Sequence, residues 1–233
     1  MDRTKVTNYY KKFPWGWAII LTLGGLFLYV VPSLIIGFLF YKYYKKIQVT
    51  DQEYDNILSS DIERLSQQAI HKAGIERDDI VAKPLVIHGF PLTGRGSSTF
   101  KIKVGKDKQL RFTPVHITII NLLEHQLVSY QCLFDVLTGK ALNEKTIEYF
   151  YKDIVSVSTE TKSEKMENGT QINDAESFML VTSGGTSIKT TINSSTFVKT
   201  IGEISESDYY VPTTEIDAAV QTIRKFVREK KSG

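Results

Sequence analysis

The spacing of apolar and polar residues changes character three times along this chain. From Pro14 to Phe40 there is no charged residue, a run of 27 positions, well beyond the about 18 that a membrane-spanning helix needs. One straight helix of that length would be roughly 40 Å long against a hydrocarbon core of about 30 Å, so a single tilted span is expected. Aromatic residues mark both edges, with Trp15 and Trp17 before and Tyr41, Tyr43 and Tyr44 after. Lys11, Lys12, Lys42, Lys45 and Lys46 lie just outside them. Rings with polar tips suit headgroup level, and lysines can snorkel past them. A re-entrant hairpin is the rival, since Gly24-Gly25 and Pro32 can interrupt the helix, but two full crossings need about 40 apolar residues. A cleaved signal peptide fits less well, because the run ends in Phe-Leu-Phe-Tyr-Lys rather than in small residues.

The period then becomes helical. Tyr54, Ile57, Leu58, Ile62, Leu65, Ala69 and Ala73 recur every three or four residues and form one stripe. Thr50 with Glu53 three residues on is a capping-box pattern, and Gly74 suits the left-handed residue that ends a helix. The stripe predicts a neck helix that packs on the chain's own following domain. The alternative is pairing with a second copy, although the repeat is short for a coiled coil.

From residue 80 apolar and polar residues alternate. Phe100, Ile102 and Val104 alternate with Lys101 and Lys103, Gly105-Lys106-Asp107-Lys108 reads as a turn, and Leu110 and Phe112 lead back. Strands are also predicted around Leu85–Ile87, Val115–Ile119, Leu127–Leu137, Ile147–Tyr151, Ile154–Val157, Phe178–Thr182 and Thr186–Ile192. The pair Gly184-Gly185 marks a hairpin between the last two. The polar stretch from Glu160 to Glu176 reads as a loop, and residues 193–212 are ambiguous. Ile216, Ala219, Val220, Ile223 and Val227 then give a final amphipathic helix, with Arg224, Lys225, Arg228, Lys230 and Lys231 crowding its end. The fold class is α+β: a small bent antiparallel sheet or open barrel, capped by that helix.

Charge sharpens the division. The whole chain carries 29 basic and 26 acidic side chains, a formal +3. Residues 1–46 hold seven of the basic ones and one acid, whereas residues 47–233 hold 22 and 25. The positive excess therefore flanks the apolar run, which points to lipid rather than nucleic acid. The near balance of basic residues on its two flanks does not set an orientation. A single cysteine excludes an intramolecular disulfide framework and a four-cysteine zinc site.

Three passages carry a family resemblance. They are Glu148-Tyr-Phe-Tyr-Lys-Asp-Ile-Val-Ser-Val157, Phe178-Met-Leu-Val-Thr-Ser-Gly-Gly185 and the helix from Glu215 to Lys230. Together they resemble the pleckstrin-homology superfold in its bacterial PH-like or GRAM-like form, over about residues 99–231. The resemblance implies a non-catalytic module that binds proteins, peptides or lipid headgroups. It also implies a cytoplasmic setting, which the flanking charge does not support. Asp153 would cap backbone amides at a corner while Ile154 and Val157 turn inward.

Catalytic signals are weak. His71, His88, His116 and His125 are dispersed, and Cys132 sits in an alternating strand. Gly89-Phe-Pro-Leu-Thr-Gly94 begins like a phosphate loop but lacks the Lys-Ser/Thr that completes one. The sequons Asn168-Gly-Thr170 and Asn193-Ser-Ser195 decide nothing. No metal or cofactor is expected. The one sharp candidate is the hairpin 100–112, whose Lys101, Lys103, Lys106, Lys108 and Arg111 would form a basic outer face for anionic lipid. Lysines on an edge hairpin equally discourage edge pairing.

The expected organisation is a polar and aromatic tail (1–13), a transmembrane helix with its basic flank (14–46), an amphipathic neck (47–76), a strand and Gly/Pro loop (77–98) and a PH-like domain (99–233). The expected role is a single-pass, membrane-anchored adaptor, its large domain cytoplasmic, that recruits or organises a protein partner through a sheet edge or the groove beside the last helix. Anionic-lipid sensing through the hairpin is the alternative, and a homo-oligomer is allowed.

Overall fold

The structure is a computed structural model; it describes residues 3–11, 14–26, 30–89, 100–165, 171–194 and 214–232. The chain divides into two compact units, Met1–Ile57 and Leu58–Gly233.

In the first unit the tail expected over residues 1–13 contains a helix, α1 (Arg3–Tyr9), with Val6 and Tyr9 buried. The uncharged run does not form one helix. It is divided into α2 (Trp15–Leu26) and α3 (Val30–Ile47). Among the described residues no helix is long and apolar enough to cross a membrane, which overturns the expected transmembrane helix and the single-pass arrangement built on it. Twelve residues of α2 rise only about 18 Å, and the apolar part of α3 is equally short before Lys42. Pro32 lies in the first turn of α3, where amides have no intrahelical acceptor and a missing N–H is tolerated. The two helices pack against each other. Asn8 and Lys11, just ahead of α2, share a small cleft with Tyr43, Tyr44, Ile47 and Gln48 at the end of α3. The pair is therefore antiparallel, with its start and finish at the same end.

Helix α4 (Asp51–Ala73) opens with the expected capping box. Thr50 N–H donates to Glu53 Oε2 at 3.0 Å, and Glu53 N–H donates to Thr50 Oγ1 at 3.2 Å. The backbone bond from Thr50 is the main reason the Glu53 carboxyl is held below its ordinary range. Its first turns anchor α1: the rings of Tyr9 and Tyr54 stack with centroids 4.5 Å apart, and Tyr9 Oη donates to Asp51 Oδ1 at 3.0 Å.

In the second unit α4 ends at Gly74, which takes φ +65°. Ile75 N–H bonds back to Ile70 O and Gly74 N–H to His71 O, the paired closure that a left-handed residue makes possible. Leu65 and Ala69 are buried, so this part of the stripe packs on the chain's own domain. A short 3₁₀ turn (Arg77–Asp79) leads into the strands.

One antiparallel sheet has the order β1 (Leu85–Gly89), β4 (Val115–Leu122), β5 (Gln126–Asp135), β6 (Lys140–Phe150). The hairpin β2 (Lys101–Val104) and β3 (Leu110–Thr113) forms a separate ribbon, followed by a cis Thr113–Pro114 bond. After a 3₁₀ turn (Tyr151–Asp153), β7 (Ile154–Lys165), β8 (Gln171–Thr182) and β9 (Ser187–Ser194) form a three-stranded meander. Helix α5 (Thr214–Ser232) closes the unit. The core between the sheets and α5 is built from Ile120, Leu122, Tyr149, Phe178, Leu180 and Ile223 with their neighbours.

Two local expectations change. The polar stretch Glu160–Glu176 is strand over its described residues, paired from Thr159↔Phe178 out to Lys165↔Gln171. Ladder pairing uses backbone groups, so a strand without a buried face needs no apolar alternation. At the corner it is the main-chain carbonyl of Asp153, not a side-chain cap, that accepts a hydrogen bond from Ser183 N–H at 2.8 Å. Ile154 is buried there and Val157 packs on the core, as anticipated.

Candidate docking groove beside the last helix

Helix α5 buries Ala219, Val220, Ile223 and Val227, and their spacing fixes its rotation. Arg224, Arg228 and Lys231 follow at intervals of four and three, so they share a strip beside that apolar face. The strip borders the start of β7. Between them lies an open groove of about 470 Å³, walled by residues 154–157 on one side and by Arg224, Val227, Arg228 and Lys231 on the other. None of these lining residues is acidic. Lys231 Nζ donates to Ile154 O at 2.8 Å, and Arg224 Nη2 reaches Thr159 Oγ1 at 3.4 Å.

Among the described residues strand β7 ends its sheet, with β8 as its ladder partner. A register irregularity between Ile154 and Ser156 re-aims the strand at this point. Ile154 turns inward while Val155 is 58% exposed beside the groove. The arrangement offers three things to an extended ligand: a sheet edge, an apolar foothold and three cations. Spacing alone placed the cations on α5. That β7 would face them needed the tertiary structure.

The basic hairpin forms with the expected turn, but its five cations do not form one outer face. Arg111 is buried at 5% exposure. It donates to both carboxylate oxygens of Asp107, at 2.9 and 2.7 Å. The bond from Arg111 brings the Asp107 carboxyl down to about 2. Lys101 and Lys103 are half-buried, and Lys106 and Lys108 lie exposed in the turn. The interface residues of the apolar run are gathered at one end of the α2–α3 pair. Trp15, Trp17, Tyr41 and Tyr43 are exposed and Tyr44 is half-buried; Lys11, Lys42, Lys45 and Lys46 are exposed. Lys42 Nζ sits 5.1 Å from the Phe38 ring centre, and Lys45 Nζ 5.9 Å from that of Tyr41. Lys12, the loop after Gly89 and the Asn168 sequon lie outside the described residues, as does Ser195 of the other sequon and most of 193–212.

A polar clasp escaped the sequence. Glu144 on β6 accepts from Tyr130 Oη at 2.5 Å, Lys72 Nζ at 2.5 Å and Gln68 Nε2 at 2.9 Å. Burial pushes its carboxyl up, but the bonds from Lys72 and Tyr130 outweigh that and hold it below its ordinary value. Nothing in the spacing of 68, 72, 130 and 144 announces this meeting. Next to it, burial pushes the Cys132 thiol up to about 12, far from the thiolate a nucleophile requires. His125 lies exposed with its Nε2 4.0 Å from Glu124, while burial lowers His116. Among the described residues no three metal-ligating side chains converge. No family model, curated protein or solved structure matches the chain.

Proposed function

We propose that the second unit is a non-catalytic, PH-like binding module that holds an extended acidic segment of a protein partner along β7, beside α5. The groove carries this reading: among the described residues β7 has β8 as its one ladder partner, so its other edge beyond Ile154, whose carbonyl Lys231 engages, is offered for backbone pairing, while Arg224, Arg228 and Lys231 supply charge selection. Guanidinium groups favour carboxylates through paired, charge-assisted hydrogen bonds. Val155, exposed beside the groove, would take an apolar side chain that alternates with the acids. The four-stranded sheet and the three-stranded meander, closed by a terminal helix, support the PH-like assignment. Sensing of anionic headgroups by the hairpin 100–112 has less support, because Arg111 is already engaged by Asp107.

The test uses the full chain and a fluorescent peptide of about twelve residues in which Glu and Val alternate, the length that such strand addition spans. Anisotropy should report binding that weakens with salt. The triple variant Arg224→Glu, Arg228→Glu, Lys231→Glu should weaken it at least about tenfold, with unchanged circular dichroism. A matching Lys–Val peptide that binds equally well would sink the reading.

A further inference from the structure

Among the described residues, the α2–α3 pair exposes an apolar surface. On α2, Trp15, Trp17, Ile19, Ile20 and Leu23 are 53–67% exposed, and on α3, Leu34, Ile35, Ile36, Phe38 and Leu39 are 54–61% exposed. At about 100° per residue these positions spread over more than half of each helix's circumference. Monomeric soluble proteins rarely expose apolar surface on this scale, and where they do it marks an interaction site. A partner helix would cover one stripe. Exposure over more than half of each helix fits an occupant that surrounds the outer side of the pair.

We propose that the α2–α3 pair inserts into one leaflet of an anionic lipid bilayer, entering and leaving on the same side without crossing it. Length supports this. The helices rise about 18 Å over their apolar portions, and one leaflet's hydrocarbon is about half of the 30 Å core. Charge gives the second argument. Folding the run back on itself puts its two aromatic edges, Trp15 and Trp17 at the start of α2 and Tyr41 and Tyr43 toward the end of α3, at the same end of the pair. Lys11, Lys42, Lys45 and Lys46 are exposed at that same end. Amphipathic rings at headgroup depth and lysines among anionic phosphates are the pattern of an interfacial anchor. The inference stands apart from the peptide groove and uses none of its residues.

Trp15 and Trp17 are the chain's two tryptophans, so selectively excited tryptophan emission reports on that end alone. Full-length protein mixed with phosphatidylcholine–phosphatidylglycerol vesicles should show a blue shift. Quenching should be stronger by a lipid brominated near the headgroup than by one brominated near the chain end. Ile20→Asp with Leu39→Asp, both at exposed positions, should cut partitioning at least about tenfold, with unchanged circular dichroism. Lys42→Gln, Lys45→Gln and Lys46→Gln together should cut it about tenfold or more on anionic vesicles and little on neutral ones. Unshifted emission, equal partitioning of the aspartate variant, or a concentration-dependent dimer that buries the tryptophans without lipid would each overturn the proposal. Deep quenching stronger than shallow would also overturn it.

Discussion

Helix α5 and the α2–α3 pair make opposite uses of similar apolar residues. In α5 the apolar positions fall on one face, and the core takes them up: Ile223 is 0% and Val220 1% exposed. In the pair they fall on most faces, and Leu34 and Ile20 remain 61% and 60% exposed. A helix can bury against a sheet only the side it turns toward it. One-sided patterning therefore ends in a core, whereas apolar residues over more than half of a helix exceed what one packed face can bury. The second half of α4 stands between these cases. It buries Leu65 and Ala69 but is also clasped through Gln68, Lys72 and Glu144.

The contrast can be broken first where it is strongest. Ile223→Ala removes a fully buried side chain from the core of the second unit and should destabilise it by about 2–5 kcal/mol, read from urea denaturation. A cost below about 1 kcal/mol would mean that α5 is not seated as described.

A smaller effect is expected at the clasp. Glu144→Gln weakens charge-assisted hydrogen bonds from Tyr130 and Lys72 and should cost about 1–2 kcal/mol. The folded carboxyl lies below its ordinary 4.5. Its contribution is therefore present above that value and is lost as pH falls through the folded pKa. The gap between wild type and variant should narrow in acid, and a gap that widens there would refute the assignment.

The smallest effect belongs to the pair. Leu39→Ser changes a side chain 58% exposed and should shift stability by no more than about 0.5 kcal/mol in lipid-free solution. A loss as large as that of Ile223→Ala would show that Leu39 is covered by something, and the comparison would collapse.

Much of the fold was legible because its signals are local. Thr50 and Glu53 cap α4 through atoms three residues apart. Gly74 and Gly185 sit at φ +65° and +79°, where a residue without a Cβ is favoured. The turn between β2 and β3 follows from residues 105–108. The misreadings came from patterns that two structures satisfy. An uncharged run of 27 residues has the hydropathy of one span, and hydropathy does not register that the run is two packed helices. Alternation put Arg111 on the same hairpin face as Lys101 and Lys103, but not its burial or its pairing with Asp107. The polar content of Glu160–Glu176 argued for a loop, although ladder hydrogen bonds do not depend on side-chain polarity.

By itself the sequence determined the start of α4, the turn of the β2–β3 hairpin, which face α5 would turn inward, and that the N-terminal segment was apolar and cation-flanked. Those properties depend on neighbours a few residues apart. The tertiary structure decided which distant pieces meet. It brought both ends of the apolar run together, placed the edge of β7 opposite Arg224, Arg228 and Lys231, and engaged Arg111 with Asp107. Such outcomes depend on how whole elements pack, and a one-dimensional pattern of hydropathy and charge does not encode that directly.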